Sequence, residues 1–257
     1  MSLFKAVTLF CSITLAGCSA FSSSEQPKGR IDQSALAAYT KLGMQYLQAG
    51  DTASAKESLQ QAALADPGYA PALNGLAMVF QAEREPELAD QYFQRATQAD
   101  PNSAMIFNNY GAFLFSQQRF EEACKALARS TEDPFYTQRA QAFENLGRCY
   151  RLIDRDSAAE HVFNRSVTLS PLRVTAHIEL ADLYLDKGQA SLAAQHYAIF
   201  QQQLDAQETQ HFAKSLWVGV RLARHSGNPS KAASYALLLK NLYPNSEEYN
   251  KFKDTGL

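Results

Sequence analysis

What most constrains the fold of this chain is a period. Asp66-Pro67 and Asp100-Pro101 lie 34 residues apart, and the same residue classes recur when one counts back from each pair. Units begin near residues 36, 70, 104, 140, 174 and 213. The first carries Tyr39, Leu42, Gly43 and Tyr46, then Ala55, Leu59, Ala62 and Pro67. The third repeats this as Phe107, Tyr110, Gly111 and Leu114, then Ala123, Leu127 and Ser130, with Pro134 one place early. The fourth has Phe143, Leu146, Gly147 and Tyr150, then Ala159, Phe163, Ser166 and Pro171. The fifth lacks the closing proline, and the sixth is degenerate, running through Leu216, Gly219, Ala223, Ala232, Leu239 and Pro244.

Each class has a physical reason. Large residues at places 4, 7 and 11 of a unit fall on one face of a helix. The small residues at places 8 and 20 let two helices approach closely. Proline at place 32 cannot continue a helix, so it ends one pair and begins the next. Gly50-Asp51, Gly188 and Gly227-Asn228-Pro229 supply turns inside the pairs. One pair cannot bury its apolar face alone, and stacked neighbours share a continuous core. The pattern resembles the tetratricopeptide repeat. It implies an all-α, right-handed superhelix (a solenoid) of about six helix pairs over residues 34–257, with Asn241 to Tyr249 as a terminal cap. Two spacings are longer, 36 between the third and fourth units and 39 between the fifth and sixth, and their extra residues are expected in linkers.

The N-terminus is of another kind. Met1 to Lys5 give a short basic start and Ala6 to Ala16 an apolar stretch, too short to span a bilayer, as in a secretory signal peptide. Small residues then precede a cysteine in Leu15-Ala16-Gly17-Cys18, which resembles the lipobox of bacterial lipoproteins. The resemblance implies a leader at 1–17, cleavage before Cys18 and acylation of its thiol, palmitate included. Ser19 in place of Asp implies sorting to the outer membrane, where two or more acyl chains give stable anchoring. Residues 18–33, with Ser22-Ser23-Ser24, Pro27 and Gly29, read as a flexible linker.

Composition narrows the function classes. The net charge is −2 with scattered basic residues, so no nucleic-acid partner is expected. Only Cys124 and Cys149 remain in the folded part. An oxidising compartment permits them to pair, but two cysteines are no disulfide framework, and they are expected as small, partly buried helix residues. His161, His177, His196, His211 and His225 show no metal-ligand spacing. His177 stands where Tyr39 and Phe107 stand, so it is expected to pack within its helix pair. No nucleophile elbow or phosphate loop is present. The expectation is a binding protein: not an enzyme, with no cofactor, no metal and no small-molecule substrate.

Binding would use the inner face of the stack, formed by places 2, 5, 9 and 12 of the first helices. These are Met44 and Leu47 in the first unit, Asn74 and Met78 in the second, and Met105, Asn108 and Phe115 in the third. The fourth contributes Glu144, Arg148 and Arg151. Methionine and aromatic side chains suit an apolar or amphipathic peptide, and amides can bond its backbone.

Several strings narrow the resemblance: Asn108-Asn109-Tyr110-Gly111-Ala112-Phe113-Leu114, Arg119-Phe120-Glu121-Glu122-Ala123, Phe143-Glu144-Asn145-Leu146-Gly147 and Leu239-Lys240-Asn241-Leu242-Tyr243-Pro244. With the lipobox and six pairs, the whole chain resembles the PilF/PilW family of type IV pilus biogenesis and stability lipoproteins. That resemblance implies a pilotin, which binds subunits of the outer-membrane secretin and promotes their localisation and multimerisation. It places secretin contact in the first repeats, around Met44, Leu47, Asn74 and Met78. A general periplasmic scaffold lipoprotein for envelope or cell-wall enzymes would share the anchor and the repeats, but not the partner.

Overall fold

The computed structural model describes residues 32–255. The expected leader, Cys18 and nearly all of the linker lie outside the described residues. Those residues form thirteen α-helices. Twelve pair in sequence: α1 (Gln33–Gln48) with α2 (Thr52–Ala65), α3 (Ala70–Ala82) with α4 (Pro86–Ala99), and α5 (Ala104–Ser116) with α6 (Phe120–Ser130). Then come α7 (Arg139–Leu152) with α8 (Asp156–Leu169), α9 (Val174–Asp186) with α10 (Ala190–Asp205), and α11 (Ala213–His225) with α12 (Pro229–Leu242). The short α13 (Glu247–Asp254) follows. The second helix starts at place 17 in all six units, so the register read from the period is the register of the fold.

Sequence explains the helix ends. Asp51 caps α2 by accepting from the Ser54 amide at 3.0 Å, and Asn228 caps α12 by accepting from Lys231 at 2.9 Å. Pro86 and Pro229 occupy the first helical position, where no amide hydrogen is needed. Each first helix ends in a left-handed residue at place 15: Gly50, Arg84, Gln118, Asp154, Gly188 and Gly227, with φ between 55° and 81°.

Place 24 holds the core. Leu59, Phe93, Leu127, Phe163 and Tyr197 are at most 4% exposed. Opposite them, place 8 has no room for a large side chain. A Cβ on Gly147 would lie 2.5 Å from Cε1 of Phe163. Burying each such side chain contributes about 1.5–3 kcal/mol.

The backbones of successive first helices approach one another closely from α1 to α11, while those of successive second helices stay further apart. A stack drawn together along one side curves, with the first helices inside. The longer linkers lie outside the helices. Arg139 Nε donates to the Thr131 carbonyl at 2.8 Å across one of them. At the far end Tyr249 and Phe252 of α13 pack on Leu216, Trp217 and Leu239, as expected of a cap. The near end departs from the repeat pattern. Tyr39, Leu42 and Tyr46 occupy the apolar places of α1 yet are 44%, 40% and 36% exposed. In later units that face packs on the second helix of the preceding unit, and among the described residues no helix stands before α1.

Candidate partner-binding groove

The inner surface has two halves of different chemistry. In the first three units the contacts between first helices are neutral. Met44 is half-buried, and its sulfur lies over Gly75 of α3, 3.3 Å from where a Cβ would sit. Leu47 packs beside Leu59, Leu76 and Val79. Asn74 is 2% exposed, and its Oδ1 accepts from Asn109 Nδ2 at 3.2 Å. Met78 Sδ lies 3.8 Å from Asn74 Nδ2 and 3.7 Å from Asn109 Nδ2. One unit on, the buried Asn108 accepts from Asn145 Nδ2 at 3.1 Å. An amide at place 5 thus accepts from an amide at place 6 of the next unit, twice over.

Of the seven expected groove residues, then, Asn74 and Asn108 are buried joints between units. Met44, Leu47, Met78 and Phe115 are half-buried, and Met105 is open. Phe115 meets Phe120 edge-on, with centroids 5.5 Å apart, and carries the Arg148 guanidinium 5.9 Å from its ring centre. The pattern of places did not single out Asn109 and Asn145, the two donors. A one-period recurrence of Asn after Asn74 and after Asn108 was the available signal.

From the fourth unit onward the same surface is charged and paired with itself. Arg173 Nε reaches the buried Glu144 at 2.6 Å. Lys214 binds Glu179 at 2.8 Å, and Arg148 approaches Glu179 at 3.7 Å. Arg221 spans Asp182 at 2.6 Å and Asp186 at 2.8 Å, and Arg151 joins Asp186 from the other side while holding Asp156 at 2.7 Å. These bonds tie α7, α9 and α11 together. Burial pushes the Glu144 and Asp182 carboxyls above the usual carboxylate range, against the pull of Arg173 on the first and of Lys214 and Arg221 on the second. Burial also works against the Lys214 ammonium, but Glu179 and Asp182 outweigh it and its pKa rises. A cavity of about 540 Å³ opens here, with Phe115, Arg148, Glu179, Phe212 and Lys214 in its walls.

Two further expectations meet the structure. Cys124 of α6 and Cys149 of α7 are joined as a disulfide with Cα atoms 5.6 Å apart, which corrects their expectation as unpaired residues. The cause is that the second helix of one unit packs on the first helix of the next, which sets the two cysteines face to face. His177 packs inside its pair as expected. Its Nδ1 lies 2.9 Å from His196 Nδ1, and its Nε2 lies 2.8 Å from the Pro171 carbonyl. Among the described residues no three metal-ligating side chains gather, and no helix is long and apolar enough to cross a membrane.

Known proteins share this architecture. Two tetratricopeptide repeat models match residues 46–107 and 102–171. The type IV pilus assembly protein PilF of Pseudomonas aeruginosa is 38% identical over 257 residues, spanning 98% of this chain and 99% of that one. A solved structure of Pseudomonas aeruginosa PilF superposes with a TM-score of 0.77 at 39% identity, over 86% of this chain and 98% of the other. The crystal structure of PilW, described as a widely conserved type IV pilus biogenesis factor, superposes with a TM-score of 0.70 at 28% identity, over 84% and 97%. The end-to-end relation to PilF, together with the matching superhelix of repeats, shows that this chain is a tetratricopeptide repeat protein of the PilF family of type IV pilus assembly proteins.

Proposed function

We propose that this chain acts in type IV pilus biogenesis as a lipid-anchored pilotin. Cys18 is acylated and held in the outer membrane facing the periplasm. The inner surface of the first three units binds a secretin subunit, and delivery to the membrane promotes its multimerisation. The family relation supports the pathway, and the Leu15-Ala16-Gly17-Cys18 sequence supports the anchor.

The observation that carries the binding site is the difference between the two halves of the groove. In the later units Glu144, Glu179, Asp182 and Asp186 are already paired, and a ligand there would have to break charged hydrogen bonds. In the early units the sulfur and ring surfaces of Met78, Met105 and Phe115 stay partly open, and covering them costs no ion pair.

Photocrosslinking from position 78 or 105 in pilus-forming cells tests this. The expected product contains secretin, and the same probe at position 151 yields none. Without the chain, secretin should remain monomeric in the inner membrane. Cys18→Ala should retain secretin binding but misplace the complex. Normal secretin multimers in the outer membrane of a deletion strain would overturn the proposal. Recovery of cell-wall enzymes instead of secretin would favour an envelope scaffold.

A further inference from the structure

The third unit breaks the pattern of the inner surface at one place. Place 9 of the six units holds Met44, Met78, Ala112, Arg148, Asp182 and Arg221. Five of these carry a methionine or a charged side chain, and only Ala112 is small. Beside it a cavity of about 150 Å³ opens where α5, α6 and α7 meet, lined by Ala112, Phe115, Leu127, Asn145 and Arg148. Leu127, 1% exposed, is its floor, and the exposed Ala112 and Arg148 stand at its mouth on the groove.

The preceding joint shows what would fill it. Between α3 and α5 the amide pair of Asn74 and Asn109 is covered by Met78, whose sulfur lies 3.8 Å from one amide nitrogen and 3.7 Å from the other. Between α5 and α7 the pair recurs as Asn108 and Asn145, 3.1 Å apart, but Ala112 stands in the place of Met78. The cavity is the space that a methionine fills one unit earlier. Packed proteins keep few voids larger than a water, and an apolar hollow of about this size takes up a benzene-sized group.

The walls select the occupant. Leu127, Ala112 and the Phe115 ring suit a flexible apolar side chain such as methionine or leucine. Asn145 spends its Nδ2 on Asn108, which leaves its Oδ1 to accept a peptide N–H. At the mouth the Arg148 guanidinium lies 5.9 Å from the Phe115 ring centre and 3.7 Å from one oxygen of Glu179. Lys214 already holds the other oxygen of Glu179 at 2.8 Å. Arg148 can therefore turn to an incoming carboxylate without leaving Glu179 unpaired.

We propose that this cavity receives one methionine- or leucine-sized side chain from the secretin segment held in the groove, with an acidic residue beside it paired to Arg148. The identity of the partner rests on the pilotin reading, and the chemistry of the pocket does not.

Two dipeptides, N-acetyl-Met-Asp-amide and N-acetyl-Asp-Met-amide, test the pocket without secretin. Each is titrated into the full-length chain in detergent and followed by nuclear magnetic resonance. At least one should shift the amide signals of Ala112 and Arg148. Alanine in place of its methionine should weaken it by about tenfold or more, as loss of a buried apolar side chain implies. Asparagine in place of its aspartate should weaken it by about tenfold, and Arg148→Gln should remove that preference. Ala112→Met fills the space from within, so it should abolish the shifts and leave the melting temperature unchanged or higher. Binding of neither dipeptide, equal binding of the alanine or asparagine forms, undiminished binding to Ala112→Met, or a lower melting temperature in that variant would overturn the proposal. Capture of a purified secretin subunit separates the two readings. It should fall about tenfold or more in Ala112→Met. Equal capture by the parent and this variant would sink the pocket and leave the pilotin reading standing. No capture by a parent chain that binds the dipeptide would sink the pilotin reading instead, with the pocket chemistry upheld.

Discussion

Gly147 and Phe163 show how little latitude a single position has. Three ring atoms of Phe163 lie within 2.7 Å of the point where a Cβ would stand, and an aromatic ring in a packed core cannot swing away as a flexible chain end can. Gly147→Ala should therefore destabilise the chain by about 1–3 kcal/mol, the usual cost of overpacking. Urea unfolding should show a lower midpoint at an unchanged slope. The histidine pair gives a second prediction at this scale. The Pro171 carbonyl only accepts, so His177 Nε2 carries the hydrogen and its Nδ1 accepts from His196. Burial lowers the pKa of His177, and burial with the charge of His177 lowers that of His196 to about 4. A base with a depressed folded pKa binds protons better when unfolded. Its contribution is thus present above about 6.5, the ordinary value, and is lost as pH falls towards about 4. Melting temperature should drop through that window in the parent, and by less in the double variant His177→Phe/His196→Leu. Equal slopes in the two proteins would count against it.

Six equivalent turns allow an internal comparison between helix pairs. Place 15 is left-handed in every unit, but only Gly50, Gly188 and Gly227 suit it. Arg84 and Gln118 are exposed and held at φ of 62° and 59°. A side chain there costs about 1–2 kcal/mol, partly offset by the greater freedom glycine brings to the unfolded chain. Arg84→Gly and Gln118→Gly should each stabilise by about 0.5–1 kcal/mol, and Gly188→Ala should do the reverse, as measured by thermal or urea unfolding. The elements themselves were legible in the sequence, because prolines, small residues and large residues recur at places that a helix pair requires. The left-handed Arg84 was not, since nothing in its side chain announces that conformation. The ion pairs of the later units were hidden for another reason. Arg151 and Asp186, Glu179 and Lys214, and Asp186 and Arg221 are each 35 residues apart, about one period, and only the helix rotation decides that they meet. The same rotation buried Asn74 and Asn108, which the pattern of places had set in the open groove.

Across the whole superhelix, stability is a sum over units and the joints between them, so one joint can divide the molecule. The disulfide spans such a joint, from α6 in the third unit to α7 in the fourth, beside a linker longer than the period requires. On one side the first helices meet through amides, methionine and leucine, and on the other through ion pairs. Closing a loop of 25 residues restricts the unfolded chain by about 3–4 kcal/mol. Reduction, or Cys124→Ser with Cys149→Ser, should lower stability by about that amount in urea unfolding. The loss should not be uniform. With the cross-link cut, the first helices of the first three units are joined to one another only by neutral contacts, and that half is free to open apart from the rest. Hydrogen exchange in the reduced chain should therefore quicken across α1 to α6 more than across α7 to α12. That half is also where the secretin subunit is proposed to bind, so cutting the bond should weaken capture by ordering cost rather than by loss of contact, since neither cysteine is among the proposed contacts. A uniform rise in exchange along all six units would show that the joint does not separate two independently stable halves.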